Sequence, residues 1–121
     1  MTYVDGFLIP LPKKNLARYR RMARAASKVW MDHGALEYRE CVGDDLNIKG
    51  VVPFTKPAQC KKDETVIFAW IVYKSRAHRD RVNTKACKDP RLAKMMAMDP
   101  KKYPFDPKRM IYGGFKTIVE A

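Results

Sequence analysis

The chain is patterned by a run in which every position is apolar or nearly so, Thr65-Val66-Ile67-Phe68-Ala69-Trp70-Ile71-Val72-Tyr73. Side chains alternate across a strand, so Val66, Phe68, Trp70 and Val72 take one face and Ile67, Ala69, Ile71 and Tyr73 the other. Such a strand needs cover on both sides. Around it the pattern alternates between strand and helix periods. Tyr3–Ile9 reads as a strand stopped at Pro10-Leu11-Pro12, with Tyr3, Asp5, Phe7 and Ile9 on one face. From Lys13 to His33, Leu16, Tyr19, Ala23, Ala26, Trp30 and His33 step by three and four, the stripe of an amphipathic helix. Gly34 stands where helices turn off through a left-handed residue. Ala35–Val42 makes a second strand, with Leu36, Tyr38 and Val42 opposite Glu37 and Arg39. Gly43–Glu64, rich in proline, glycine and charge, is a long loop. Past the central strand, Ser75 caps a helix to Lys88, and Asp89-Pro90 opens a short helix through Met98. Asp99-Pro100 ends that helix, and Pro104-Phe105-Asp106-Pro107 leads into a last strand, Arg109–Val119. Gly113-Gly114 interrupts this strand, which predicts a bulge, a bend or a close approach by another backbone.

Strand, helix, strand, strand, helix, strand is the series of an α+β ferredoxin-like sandwich. One domain over residues 1–121 follows, with a four-stranded antiparallel sheet and its helices on one face. The helices suffice for only one face of the central strand. The other is expected to go to a partner chain or a ligand, and a homodimer satisfies it most simply.

Composition narrows the classes. The net charge of +12 suggests anionic partners. Its placement matters more, because the basic residues gather on the two longer helices and the apolar signal on the strands. No apolar run reaches the roughly 18–20 residues of a membrane helix, and the first residues show no basic leader. Cys41, Cys60 and Cys87 are three, without C-x-x-C spacing, which argues against a disulfide framework or zinc site and for a reducing cytoplasm.

Several segments resemble the YbaA-like family, known as domain of unknown function 1428. They are Tyr3-Val4-Asp5-Gly6-Phe7, Glu40-Cys41, Asp44-Asp45, Phe68-Ala69-Trp70-Ile71, Asp89-Pro90-Arg91 and the stretch from Pro104 to Phe115. The resemblance runs the whole chain. It implies a dimeric α+β barrel, in which two ferredoxin-like sheets pack face to face, and it supplies no reaction.

Polar groups on apolar strands are the best site candidates. Asp5 shares a face with Tyr3, Phe7 and Ile9, so its carboxylate must find a donor or shift its pKa, and Arg109 is the expected partner. Asp5 and Arg109 are the candidate catalytic pair, or else an ion pair that fixes the dimer. Trp70, Tyr73 and Tyr112, with Trp30, are expected to line a ligand pocket between sheet and helices. His33 closes the first helix, where a cation suits the dipole. His78 on the second helix matches the place of a haem ligand in some barrels, but no motif supports that role. Neither an acid pair, a nucleophile elbow, a phosphate loop nor a metal cluster occurs, so neither metal nor cofactor is expected. Phe68-Ala69-Trp70-Ile71-Val72-Tyr73 matches the later part of an RNA-recognition signature, whose basic-glycine opening Val66-Ile67 replaces. The expected function is therefore binding or converting a small molecule. The alternative is a module whose basic helical face holds an anionic partner, with nucleic acid engaged only through non-specific electrostatics.

Overall fold

The computed structural model describes residues 1–121. Four strands, β1 (Tyr3–Pro12), β2 (Glu37–Val42), β3 (Glu64–Tyr73) and β4 (Ile111–Lys116), form one antiparallel open sheet in the order β2-β3-β1-β4. Three helices, α1 (Leu16–Asp32), α2 (Arg76–Lys88) and α3 (Pro90–Met96), accompany it. No helix is long and apolar enough to cross a membrane.

The apolar strand lies at the centre, as its two-sided pattern requires. Tyr3 pairs with Tyr73, Phe7 with Ala69 and Ile9 with Ile67, so these residues share the face that meets the helices. Ile9, Leu11, Ile67 and Ala69 pack with Tyr19 of α1, while Ile71 and Tyr73 pack with Val82 of α2. Val29, Ala86 and Leu92 join the three helices to one another. The opposite face carries Leu8, Phe68, Trp70, Ile111 and Phe115 with no helix over it, and Phe115 is 60% exposed. Part of that face is covered from within. Phe54, from the long β2–β3 loop, sets its ring 5.7 Å from Phe68, which remains 44% exposed.

Local chemistry explains the boundaries. β1 runs on through Pro10 and Pro12, because β4 pairs only with Tyr3–Leu8 and leaves that end of β1 without a second neighbour. A proline there forfeits no ladder bond. Gly34 ends the α1 turn at φ +109°, the left-handed conformation its sequence position predicts. Ser75 accepts a hydrogen bond from the His78 amide and starts α2. Asp-Pro works the same way three times: Asp89, Asp99 and Asp106 each accept from the amide two residues on and open α3 and two single 3-10 turns. The last of these, Pro107–Arg109, takes Arg109 out of the strand, so β4 begins at Ile111. The glycine pair makes no bulge, since the β1–β4 register is unbroken from Tyr3–Lys116 to Leu8–Ile111. Gly114 instead accommodates a side chain, because a Cβ there would lie 2.3 Å from the Tyr3 hydroxyl.

Candidate functional site

Two polar clusters interrupt the helix-covered face. The first surrounds Asp5, which is 1% exposed. Its partner is Arg79 of α2, not Arg109. Arg79 Nη1 donates to Asp5 Oδ1 at 2.8 Å and to the Tyr112 hydroxyl at 2.9 Å, and its Nε donates to Asp80. The guanidinium also stands over the Tyr3 ring, 5.0 Å from its centroid. Burial and the nearby Asp5 charge both push the Tyr73 and Tyr112 hydroxyls above their ordinary range. The structure brings Asp5, Tyr73 and Tyr112 together around an arginine that the sequence reading did not single out, and Tyr73 and Tyr112 are not among the residues lining the cavity between sheet and helices.

Arg109 is engaged elsewhere. Once the 3-10 turn removes it from β4, both its Nη atoms reach Glu64 at 2.7 and 2.8 Å, and Nη2 also donates to the Gln59 carbonyl. The hydrogen bonds from Arg109 hold the Glu64 carboxyl down at about 2. This bidentate pair pins the end of the long loop to the approach of β4. The Trp70 indole lies on the opposite face of the sheet from Tyr73. It donates to Glu37 at 3.3 Å and has the Arg39 guanidinium 5.9 Å from its ring. His33 bonds Asp89 at 2.8 Å, and His78 Nδ1 accepts from the Lys74 amide, so both histidines are occupied in local structure. No group of three or more His, Cys, Asp or Glu side chains is placed to share a metal ion.

The second cluster sits in a cavity of about 310 Å³ between the sheet, α1 and α3. Phe7, Ile71, Met22, Ala26, Trp30 and Leu92 are among its walls, and Glu40 is the one charged residue lining it. Glu40 of β2 pairs with Ala69 of β3, and the register therefore turns its side chain under α1. The Tyr19 hydroxyl donates to Oε1, and the Tyr38 hydroxyl donates to Oε2 at 2.8 Å. Burial pushes the Glu40 carboxyl up, and the two tyrosine bonds only partly offset this. Burial and the adjacent carboxylate raise both tyrosines in turn. Behind the cavity, Asn83 Oδ1 accepts from Trp30 Nε1 at 3.0 Å and from the Tyr73 hydroxyl at 3.2 Å, tying α1, α2 and β3 together. A carboxyl held by two phenols at the end of an apolar chamber can exchange hydrogen bonds, or a proton, with a bound molecule.

Residues 2–107 match the model of a family described as "Protein of unknown function (DUF1428)". The chain belongs to this family. It is 38% identical over 120 residues to "Uncharacterized protein YbaA" of Escherichia coli strain K12, covering 99% of both chains. The protein of the same description from Shigella flexneri is also 38% identical over 120 residues, with 99% of both chains covered. Among solved structures, "De novo designed protein Foldit4" aligns over 99% of this chain and 100% of its own, with a TM-score of 0.46 and 10% identity.

Proposed function

We propose that this protein binds, and is built to convert, a small and mainly apolar molecule in the cavity between its sheet and helices, with Glu40, Tyr19 and Tyr38 as the polar end. The observation that carries this reading is the Glu40 carboxyl, which two tyrosine hydroxyls hold inside an otherwise apolar chamber. A carboxyl is costly to bury, and an all-apolar core would avoid that cost. A ligand that uses the group accounts for its position. Octanol serves as a neutral probe in calorimetry and thermal melts. Wild type is expected to bind it saturably, and a concentration 100 times Kd adds about 2.7 kcal/mol to stability. Ala26→Leu, which fills the chamber with good helix-forming chemistry, should abolish binding without lowering the melting temperature. Absence of saturable binding, or equal binding by wild type and Ala26→Leu, overturns the reading.

The assembly belongs to the same proposal. Read from its other edge, the strand order is β4-β1-β3-β2, and together with the β-α-β-β-α-β series it supports the ferredoxin-like description. The apolar face bearing Leu8, Phe68, Ile111 and Phe115 supports packing of two such sheets as a homodimeric α+β barrel. Three free cysteines favour a cytoplasmic setting.

A further inference from the structure

We propose that the molecule in this cavity is an amphipathic anion, its apolar body inside the chamber and its carboxylate or phosphate outside, among the basic residues of α1. This rests on the cavity reading and adds the chemical class of the ligand. A groove of about 1090 Å³ runs between α1 and β2, and it shares Tyr19, Ala23, Tyr38 and Glu40 with the cavity. The chamber and the groove therefore adjoin at Glu40 and the two tyrosines bonded to it. Lys13, Lys14, Arg20, Arg21 and Arg24 line the groove, and Glu40 is the one acid among its lining residues.

These five cations are uncompensated. The salt bridges of the protein engage Arg39, Arg79, Arg91, Arg109 and His33, and none reaches the five. From Leu16 to Met31, α1 contains no acidic residue at all. A helix face kept merely soluble commonly mixes both signs of charge, as i,i+4 pairs between opposite charges are favourable and like charges repel. Here like charges crowd one rim, at a cost to the helix, and that rim adjoins the Glu40 end of the apolar chamber. Both oxygens of Glu40 are already bonded to the tyrosine hydroxyls. The carboxylate is thus partly neutralised before an anion arrives. Charge complementarity outside and apolar complementarity inside select a ligand with both parts.

The test compares octanoate with octanol, which share one chain and differ in the head group. At low salt, wild type is expected to bind octanoate at least tenfold more tightly than octanol, and that preference should shrink as salt rises. Arg20→Glu with Arg24→Glu should erase the preference and leave octanol affinity within about twofold, which also shows that the variant is folded. Ala26→Leu should abolish binding of both probes. Octanol binding with an equal or weaker affinity for octanoate overturns the anionic class and leaves the cavity reading standing. Octanoate that still binds Ala26→Leu sits outside the chamber and overturns it as well. Failure of both probes on wild type removes the cavity reading itself.

Discussion

Asp5 and Arg79 are expected to be strongly coupled, and Asp5 and Arg109 are not. The Asp5 carboxylate lies 2.8 Å from Arg79 Nη1, with side-chain exposures of 2% and 13%. Removing one member of a buried pair costs about 3–5 kcal/mol, because the survivor is left charged and dry. Asn keeps an acceptor at the same place, so Asp5→Asn should sit near the low end, about 3 kcal/mol. Unfolding entropy of roughly 2.1 cal/mol/K per residue over 121 residues converts this to a fall in Tm of about 12 °C. Arg79→Gln also loses the bond to Tyr112 and the cation over Tyr3, and should cost at least as much. The assay is a double-mutant cycle by denaturant unfolding at fixed protein concentration, since self-association would shift each midpoint. A coupling of about 1.5–3 kcal/mol is expected for Asp5→Asn with Arg79→Gln. For Asp5→Asn with Arg109→Gln, whose partners differ, the two losses should add to within about 0.5 kcal/mol. Additive losses in the first cycle, or large coupling in the second, would refute the assignment of partners.

Two further outcomes follow from the charge and packing. Glu64 has its folded pKa drawn down to about 2 from the ordinary value of 4.5, so it stabilises the fold above pH 4.5 and that contribution is lost as pH falls toward 2; acid unfolding of Arg109→Gln should therefore begin at a higher pH and be flatter across this window, and an unchanged acid profile would contradict the pairing. Sedimentation at micromolar concentration should give a dimer for wild type and a 14.0 kDa monomer for Phe68→Lys, whereas a wild-type monomer would remove the barrel.

The strongest sequence signals were those made locally. Ser75 and Asp89-Pro90 marked helix starts through chemistry confined to four residues, and the two-sided apolar run of β3 announced a central strand. Arg79 was hidden because α2 is dense with basic residues, and only the packing of α2 against β1 decides which of them meets Asp5. Arg109 was misplaced for a local reason that was in fact readable. Asp106-Pro107 repeats the Asp-Pro pattern of Asp89-Pro90, and a third helical turn, not an early strand, follows from it. Glu40 was also within reach. It shares the parity of Tyr38 and Val42 on β2, so strict alternation turns it toward the helices alongside Tyr38. Its two phenolic partners illustrate the remaining limit, since Tyr19 looks in sequence like one more member of an apolar stripe. Only the seating of α1 over β2 brings its hydroxyl to a carboxylate.

The sheet also separates the two tryptophans of the chain optically. Trp30 borders the chamber with its indole nitrogen bonded to Asn83, whereas Trp70 lies on the other side beside Phe68, Glu37 and Arg39. Intrinsic emission is therefore a sum of two reporters that see different events. Occupation of the chamber, as proposed, should perturb the chromophore under the helices, and the proposed burial of the bare side should shield the other from a dissolved quencher. Trp30→Phe and Trp70→Phe, made separately, each leave one tryptophan: the Trp70 that remains is expected to report on the proposed pairing and the Trp30 that remains on the proposed filling.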